Sequence, residues 1–221
     1  MFAVIFEVNP KPEQWDAYLA HAKSLRPELE RIDGFIDNER FASLRRKGWV
    51  LSLSIWRDEK AVVRWRTSPR HHATQATGRA EVFRDYHLRV GEIVADNQLD
   101  AGQTLQEQRF DETAAAAKLV ALCEAVPAGL SRQPDAATVA AWLGAPELAA
   151  YRGLIAWDTF ESITQPGKFV LLTSWRNATE AEALSTQGSG DIRHRLIRVI
   201  RDYGMFDRTE APQYFPPVPL G

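Results

Sequence analysis

The chain has 221 residues, of which 45% are hydrophobic and 25% charged, with a formal net charge of -2. It is long enough to bury a core, and its slight acidity argues against nucleic acid or an anionic membrane surface as a partner. No apolar run approaches the roughly 18 residues that span a bilayer, and a single cysteine, Cys123, excludes an internal disulfide and a cysteine-rich metal site.

The opening Met1 to Phe6 has no basic residue before it and is cut short by Glu7 and Pro10. It therefore reads as a strand and not as a targeting segment, and the expected compartment is the cytoplasm. Phe2, Val4, Phe6 and Val8 alternate as a strand requires. Pro12 and Glu13 open a helix that carries Trp15, Tyr18, Leu19, Ala22, Leu25, Leu29 and Ile32 on one face, and Pro27 is expected to bend or restart it. Asp33-Gly34 ends that helix. Residues 35–43 and 49–56 form strands around a turn at 45–48. Residues 58–67 form a helix, and Pro69 restarts one that runs to about Arg84. Residues 86–95 form a fourth strand. The order strand, helix, strand, strand, helix, strand fits a ferredoxin-like α+β unit with helices on one face of an antiparallel sheet.

Residues 97–117 are polar and weakly patterned, so residues 98–117 are read as a linker. The second half repeats the order in shorter form. Strands are expected at 119–126, 151–162, 168–175 and 192–203. Helices are expected at 135–143, with Asp135 as cap, and at 179–184. Residues 211–221 form a proline-rich tail that suits an extended path over a surface.

A repeat supports two units, at 1–97 and 118–210. Gly48 to Arg57 returns as Lys168 to Arg176, each an apolar strand ending in Trp-Arg. Arg89 to Asp96 returns as Arg195 to Asp202, a register that aligns a whole strand. A rival register, Arg84-Asp85-Tyr86 on Arg201-Asp202-Tyr203, aligns three residues. The preferred register implies a loss of about 13 residues from the second unit, where the first carries its polar helix. Both faces of the 49–56 strand are apolar, so its sheet needs a second cover. The second unit is expected to supply it, with the two sheets packed face to face as a pseudo-dimeric barrel. Further association into a homodimer is left open.

Several separated stretches resemble the antibiotic biosynthesis monooxygenase family. They are Ala3 to Val8, Leu25 to Glu30, Asp33 to Ile36, Glu39 to Leu44, Leu51 to Glu59 and Trp65-Arg66, followed by His72, Gln75, Gly78-Arg79 and Asp85-Tyr86. Arg201 to Arg208 also looks like the family's C-terminal end. The resemblance implies a dimeric α+β barrel. It also implies oxidation of a phenolic, quinol or anthrone-like aromatic by O2 with no metal, flavin or other cofactor. Other members degrade haem or bind small molecules without catalysis, so a non-catalytic binding module and a haem site are the alternatives.

Cofactor-free oxygenation needs a base to remove a substrate proton, a cation or donor to stabilise the resulting oxyanion, and a dry cavity. His72, on a helix face with Gln75 and Arg79, is the candidate base. Arg79 is the candidate oxyanion partner and Tyr86 a wall and hydrogen-bond donor. Trp65, His71, Gln75, Asn9 and Arg40 are candidate substrate contacts. Each has a structural reading beside it: Trp65 and Tyr86 as core, and Arg79 paired with Glu81 or Asp85. Gln75 occupies the position that resemblance to the haem degraders would give to histidine, so haem would need His71 or His72 as its ligand. Trp157 and His194 are weaker cavity candidates from the second half. His21 and His87 read as structural or exposed. No phosphate loop, dinucleotide motif or metal-spaced cluster is present in the sequence.

Overall fold

The computed structural model describes residues 1–127, 134–185 and 190–212. Eight strands close one antiparallel barrel: β1 (Phe2–Pro10), β2 (Phe35–Ser43), β3 (Val50–Trp56), β4 (Phe83–Asp96), β5 (Leu119–Ala125), β6 (Leu154–Ser162), β7 (Phe169–Trp175) and β8 (Arg193–Gly204). The helices are α1 (Trp15–Leu29), α2 (Glu59–Thr67), α3 (Pro69–Thr77), α4 (Ala136–Trp142) and α5 (Ala178–Ser185). The α+β class expected from the sequence is therefore the class observed.

Around the barrel the first half contributes β4-β1-β3-β2 and the second half β8-β5-β7-β6, the same order twice. The register also repeats. Trp56 opposes Phe2 and Trp175 opposes Leu119, while Glu92 and Arg198 lie on the other side of those same two residues. The offset is thus 119 residues at β3/β7 and 106 at β4/β8, which reproduces the preferred sequence alignment and its 13-residue gap.

The two sheets do not simply stack. They join at both edges, through Phe41 to Ser43 on Ser162 to Phe160 and through His87 to Asp96 on Gly204 to Arg195. Joining pairs the N–H and C=O groups that separate sheets would leave at their edges. Every strand sends side chains into one shared interior, among them Ile5, Phe41, Leu53, Ile93, Leu122, Phe160, Leu172 and Val199. Successive strand residues point to opposite faces, so Val4 and Phe6 face outward, toward α1, α2 and α3.

Local differences from the expected elements have physical causes. α1 runs through Pro27, which sits in its last turn, and Ile32 falls in the turn beyond. α3 stops at Thr77, a π-helical turn follows over Gly78–Val82, and β4 starts at Phe83. Gly78 permits this turn because a Cβ there would stand 2.6 Å from the Phe83 ring. Asp58 caps α2 by accepting from the Ala61 amide at 2.8 Å, and Asp135 caps α4 by accepting from the Thr138 amide at 2.7 Å. Residues 98–117 hold no helix or strand, yet Leu99 and Leu105 pack on the interior cluster and the Gln108 amide donates to Glu92. The proline-rich stretch from residue 213 onward lies outside the described residues.

The β4–β8 seam depends on one glycine. A Cβ on Gly91 would meet the Arg198 carbonyl oxygen and the Ile197 Cγ2, each at 2.5 Å. A backbone oxygen cannot swing aside. Gly91→Ala is expected to cost about 1–3 kcal/mol, read as a fall in denaturant midpoint. An unchanged midpoint would mean the seam is not tight.

Candidate functional site

A cavity of about 360 Å³ lies between the outer face of β4-β1-β3-β2 and helices α1, α2 and α3. That is at the small end of the roughly 300–1,000 Å³ usual for small-molecule sites. The strand register orders its sheet wall. One row runs Leu88, Phe6, Ser52, Arg40 and the next Val90, Val4, Ser54, Asn38. The wall is thus apolar on β4 and β1 and polar on β3 and β2. Strands lie about 4.8 Å apart, so each row crosses roughly 14 Å. Tyr18, Ala22 and Leu25 of α1 and Trp65 of α2 face it.

The cavity's charges are one-sided. Arg40, Arg66, Arg79 and Arg208 line it, as do His21, His71 and His72, and no aspartate or glutamate does. Arg40 donates from Nη1 to Asn38 Oδ1 at 3.2 Å, while its buried Nε has no acceptor. Beside it the Tyr18 hydroxyl, on a residue only 6% exposed, makes no hydrogen bond of ordinary geometry. Burial pushes the Tyr18 phenol up, against the pull of Arg40.

Trp65, His71, His72, Gln75, Arg79, Tyr86 and Arg40 all line this one cavity, although they come from five separate elements. Asn9 does not. Strand alternation puts it on the face opposite Val4, Phe6 and Val8, with its Oδ1 beside Gly48. Arg79 makes no ion pair among the described residues, so the expected alternative pairing with Glu81 or Asp85 is not observed. Tyr86 is buried, packs near Phe6 and Phe83, and accepts a hydrogen bond from Arg208.

His71 stacks on Trp65 with ring centroids 4.0 Å apart, and its Nδ1 lies 2.9 Å from the Trp65 carbonyl. A carbonyl only accepts, so Nδ1 carries the proton and Nε2 keeps its lone pair. Burial pulls the His71 pKa down to about 4, against the help of that carbonyl. Because the folded value lies below the unfolded one, this group adds no penalty above pH about 6.5 and an increasing one as pH falls toward 4. His194, also lowered by burial, adds to the same fall. Expected, therefore, is a Tm that drops from pH 6.5 to 4.5, with a shallower drop in His71→Gln; identical slopes would show that His71 titrates normally.

Sequence reasoning missed Tyr18, Phe6, Phe83 and Asn38 as cavity residues, and also Tyr203, Arg208 and Pro212 from the chain's far end. Strand alternation could have found Phe6, which lies on the same face as Val4. Nothing local marks Arg208, which reaches the site only because β8 pairs with β4. The cavity is therefore not built by the first half alone.

Elsewhere the structure offers less. On the second half the equivalent outer face is filled by a cluster including Leu143, Leu148, Trp175 and Leu184. His194 lies beside Cys123 of that cluster, its Nδ1 3.3 Å from the sulfur. A second cavity of about 720 Å³ takes in Trp157 with Glu7, Arg46, Arg89, Asp158 and Asp202. There the charges are balanced: Arg46 pairs with Glu7 at 2.5 Å and Asp158 at 2.7 Å, and Arg89 pairs with Glu7. No group of three or more His, Cys, Asp or Glu is placed to hold a metal ion among the described residues. No helix among them is long and apolar enough to cross a membrane.

The antibiotic biosynthesis monooxygenase family model matches residues 1–77. A protein named "Jasmonate monooxygenase ABM", from Pyricularia oryzae, is 47% identical over 223 residues, covering 98% of this chain and 99% of that one. This chain belongs to the antibiotic biosynthesis monooxygenase family. Among solved structures, one titled as an antibiotic biosynthesis monooxygenase is 18% identical, with 43% of this chain and 100% of that one covered and a TM-score of 0.39. Another, titled as an anthrone oxidase-like protein, is 11% identical, with 96% of each chain covered and a TM-score of 0.34. At these scores neither bears on chemistry. Within the family chain, the first half holds the matched segment and most of the cavity wall.

Proposed function

We propose that this protein is a monooxygenase that binds a small amphipathic molecule in the helix–sheet cavity and oxidises it with O2. The observation that carries this reading is the sheet wall graded from Leu88 and Phe6 to Ser52 and Arg40, with His72, Gln75 and Arg79 among the residues that line the same space. In this reading His72 takes a proton from the substrate. Arg79 and the Tyr86 hydroxyl stabilise the anion that results. The two halves act as a pseudo-dimer in which the second supplies the barrel and the Arg208 end of the site.

The substrate class is a phenol, quinol or anthrone, or a ring ketone such as jasmonate, the compound in the relative's name. Each has a proton whose loss leaves an electron-rich oxyanion. Without a cofactor the substrate supplies every electron: two hydrogens leave it, both from carbon in an anthrone or ring ketone and one each from carbon and the hydroxyl in a phenol or quinol, while one oxygen atom stays as a carbonyl and the other leaves as water.

Oxygen uptake by chelator-treated protein, measured with jasmonate, hydroquinones, naphthols and anthrones, tests this. Protein-dependent uptake with a carbonyl product is expected. A hydroxylated product that requires an added reductant would keep the monooxygenase and discard the cofactor-free step. A Soret shift on haem titration, with no uptake for any compound, would favour the haem reading.

A further inference from the structure

The cavity gathers four arginines with no lining carboxylate, in a chain whose net charge is -2. Positive charge collected in one concave space raises the local concentration of anions. The second cavity shows how this fold treats arginines that need no ligand: Arg46 and Arg89 are each paired with a carboxylate. Arg40 is treated differently. It lies on β2 at the polar end of the wall and makes no ion pair among the described residues; its buried Nε lacks an acceptor, as that of Arg89 also does. The Tyr18 hydroxyl beside it, on a side chain that lines the cavity, makes no hydrogen bond of ordinary geometry, and Arg40 is the polar side chain that acts on it. Buried polar atoms are ordinarily satisfied, and this adjacent pair, on two side chains that line one cavity with no carboxylate, suits an oxygen acceptor that both can meet.

We propose that the polar end of the cavity is a carboxylate subsite. Arg40 holds the carboxylate of a small organic acid, and the Tyr18 hydroxyl donates to the same group. Asn38 acts as a positioning residue: its Oδ1 accepts from Arg40, while its Nδ2 is held by the Leu53 carbonyl at 3.0 Å and the Ser52 hydroxyl at 3.2 Å. The apolar body of the acid then lies over Phe6, Val4, Leu88 and Val90. This subsite rests on the cavity being the substrate site and names the charge of the substrate.

The test is calorimetric binding under nitrogen, so that no turnover intervenes. The probes are jasmonate and naphthylacetate, each against its methyl ester, which keeps the shape and removes the charge. Both acids are expected to bind about 10- to 100-fold more tightly than their esters, the range of a charged hydrogen-bonded pair. Arg40→Met is expected to erase that preference while leaving ester binding in place. Tyr18→Phe is expected to reduce the preference in part and to raise the Tm of the ligand-free protein by about 2–4 °C, since it removes an unsatisfied hydroxyl. A purely structural tyrosine would lower the Tm instead, so this variant also carries the test should Arg40→Met fail to fold.

Equal binding of acid and ester by the wild type overturns the subsite, and so does failure of all four probes to bind. Loss of the preference in Arg79→Gln but not in Arg40→Met would move the carboxylate to Arg79 and equally overturn it. The oxygenase reading fails separately. Acid-selective binding with no oxygen uptake would sink the catalysis and keep the subsite. Uptake with no acid preference would do the reverse.

Discussion

Glu7→Gln is expected to cost about 3–5 kcal/mol of stability, a Tm loss of roughly 6–20 °C. Glu7 is 5% exposed and lies between two cations. Its carboxylate pairs with Arg46 at 2.5 Å and with Arg89, and His87 Nδ1 stands 3.8 Å away. Arg89 is 2% exposed, and its other nitrogen contact is the Ser174 hydroxyl at 2.6 Å. The substitution keeps the shape of Glu7 but removes its charge, so a buried guanidinium loses its counter-ion. Burial alone would raise the Glu7 pKa, yet Arg89 and Arg46, with a smaller part from His87, hold it below the usual carboxylate range. A depressed carboxylate stabilises the fold above its unfolded value near 4.5 and loses that contribution as pH falls through its lower folded value. The wild type should therefore lose stability below pH about 4.5, and Glu7→Gln should lose less there. Thermal melts across pH read both effects. A Tm unchanged at neutral pH would mean that water already screens the pair.

His72→Ala is expected to lower turnover by about 10²–10⁴-fold, the usual contribution of a positioned general base, while Km moves little. The choice of His72 over its neighbour follows from geometry. The His71 ring is stacked on Trp65, its Nδ1 is bound to a backbone carbonyl, and its pKa of about 4 makes it a weak proton acceptor. His71→Gln should accordingly affect substrate binding more than the rate constant. Steady-state kinetics on the compound found by oxygen uptake would distinguish the two variants. A larger fall in kcat for His71→Gln than for His72→Ala would reverse the assignment.

Much of the fold follows from short-range chemistry. The alternation of Phe2 to Val8, the caps at Asp58 and Asp135, and the Trp-Arg repeats at 56–57 and 175–176 each act over a few residues. They placed the strands and four of the five helices near their observed positions. The internal alignment of β4 with β8 was likewise available, because both strands run from an arginine through apolar residues to an aspartate. The early end of α3 was not. It depends on Gly78 making room for the Phe83 ring, a contact that periodicity does not express.

The site divides in the same way. By itself the sequence determined the α+β class, the repeated strand pattern and the polar helix that bears His71, His72 and Gln75, because spacing on one helix is a local property. Only the tertiary structure decided that Arg208 arrives from the far end of the chain and that Tyr18 and Arg40 meet in a cavity lined by no carboxylate. Those facts depend on which strands pair and which charges find a counter-ion. Pairing joins residues far apart in the chain, and whether Arg40 finds a carboxylate is settled when the barrel closes.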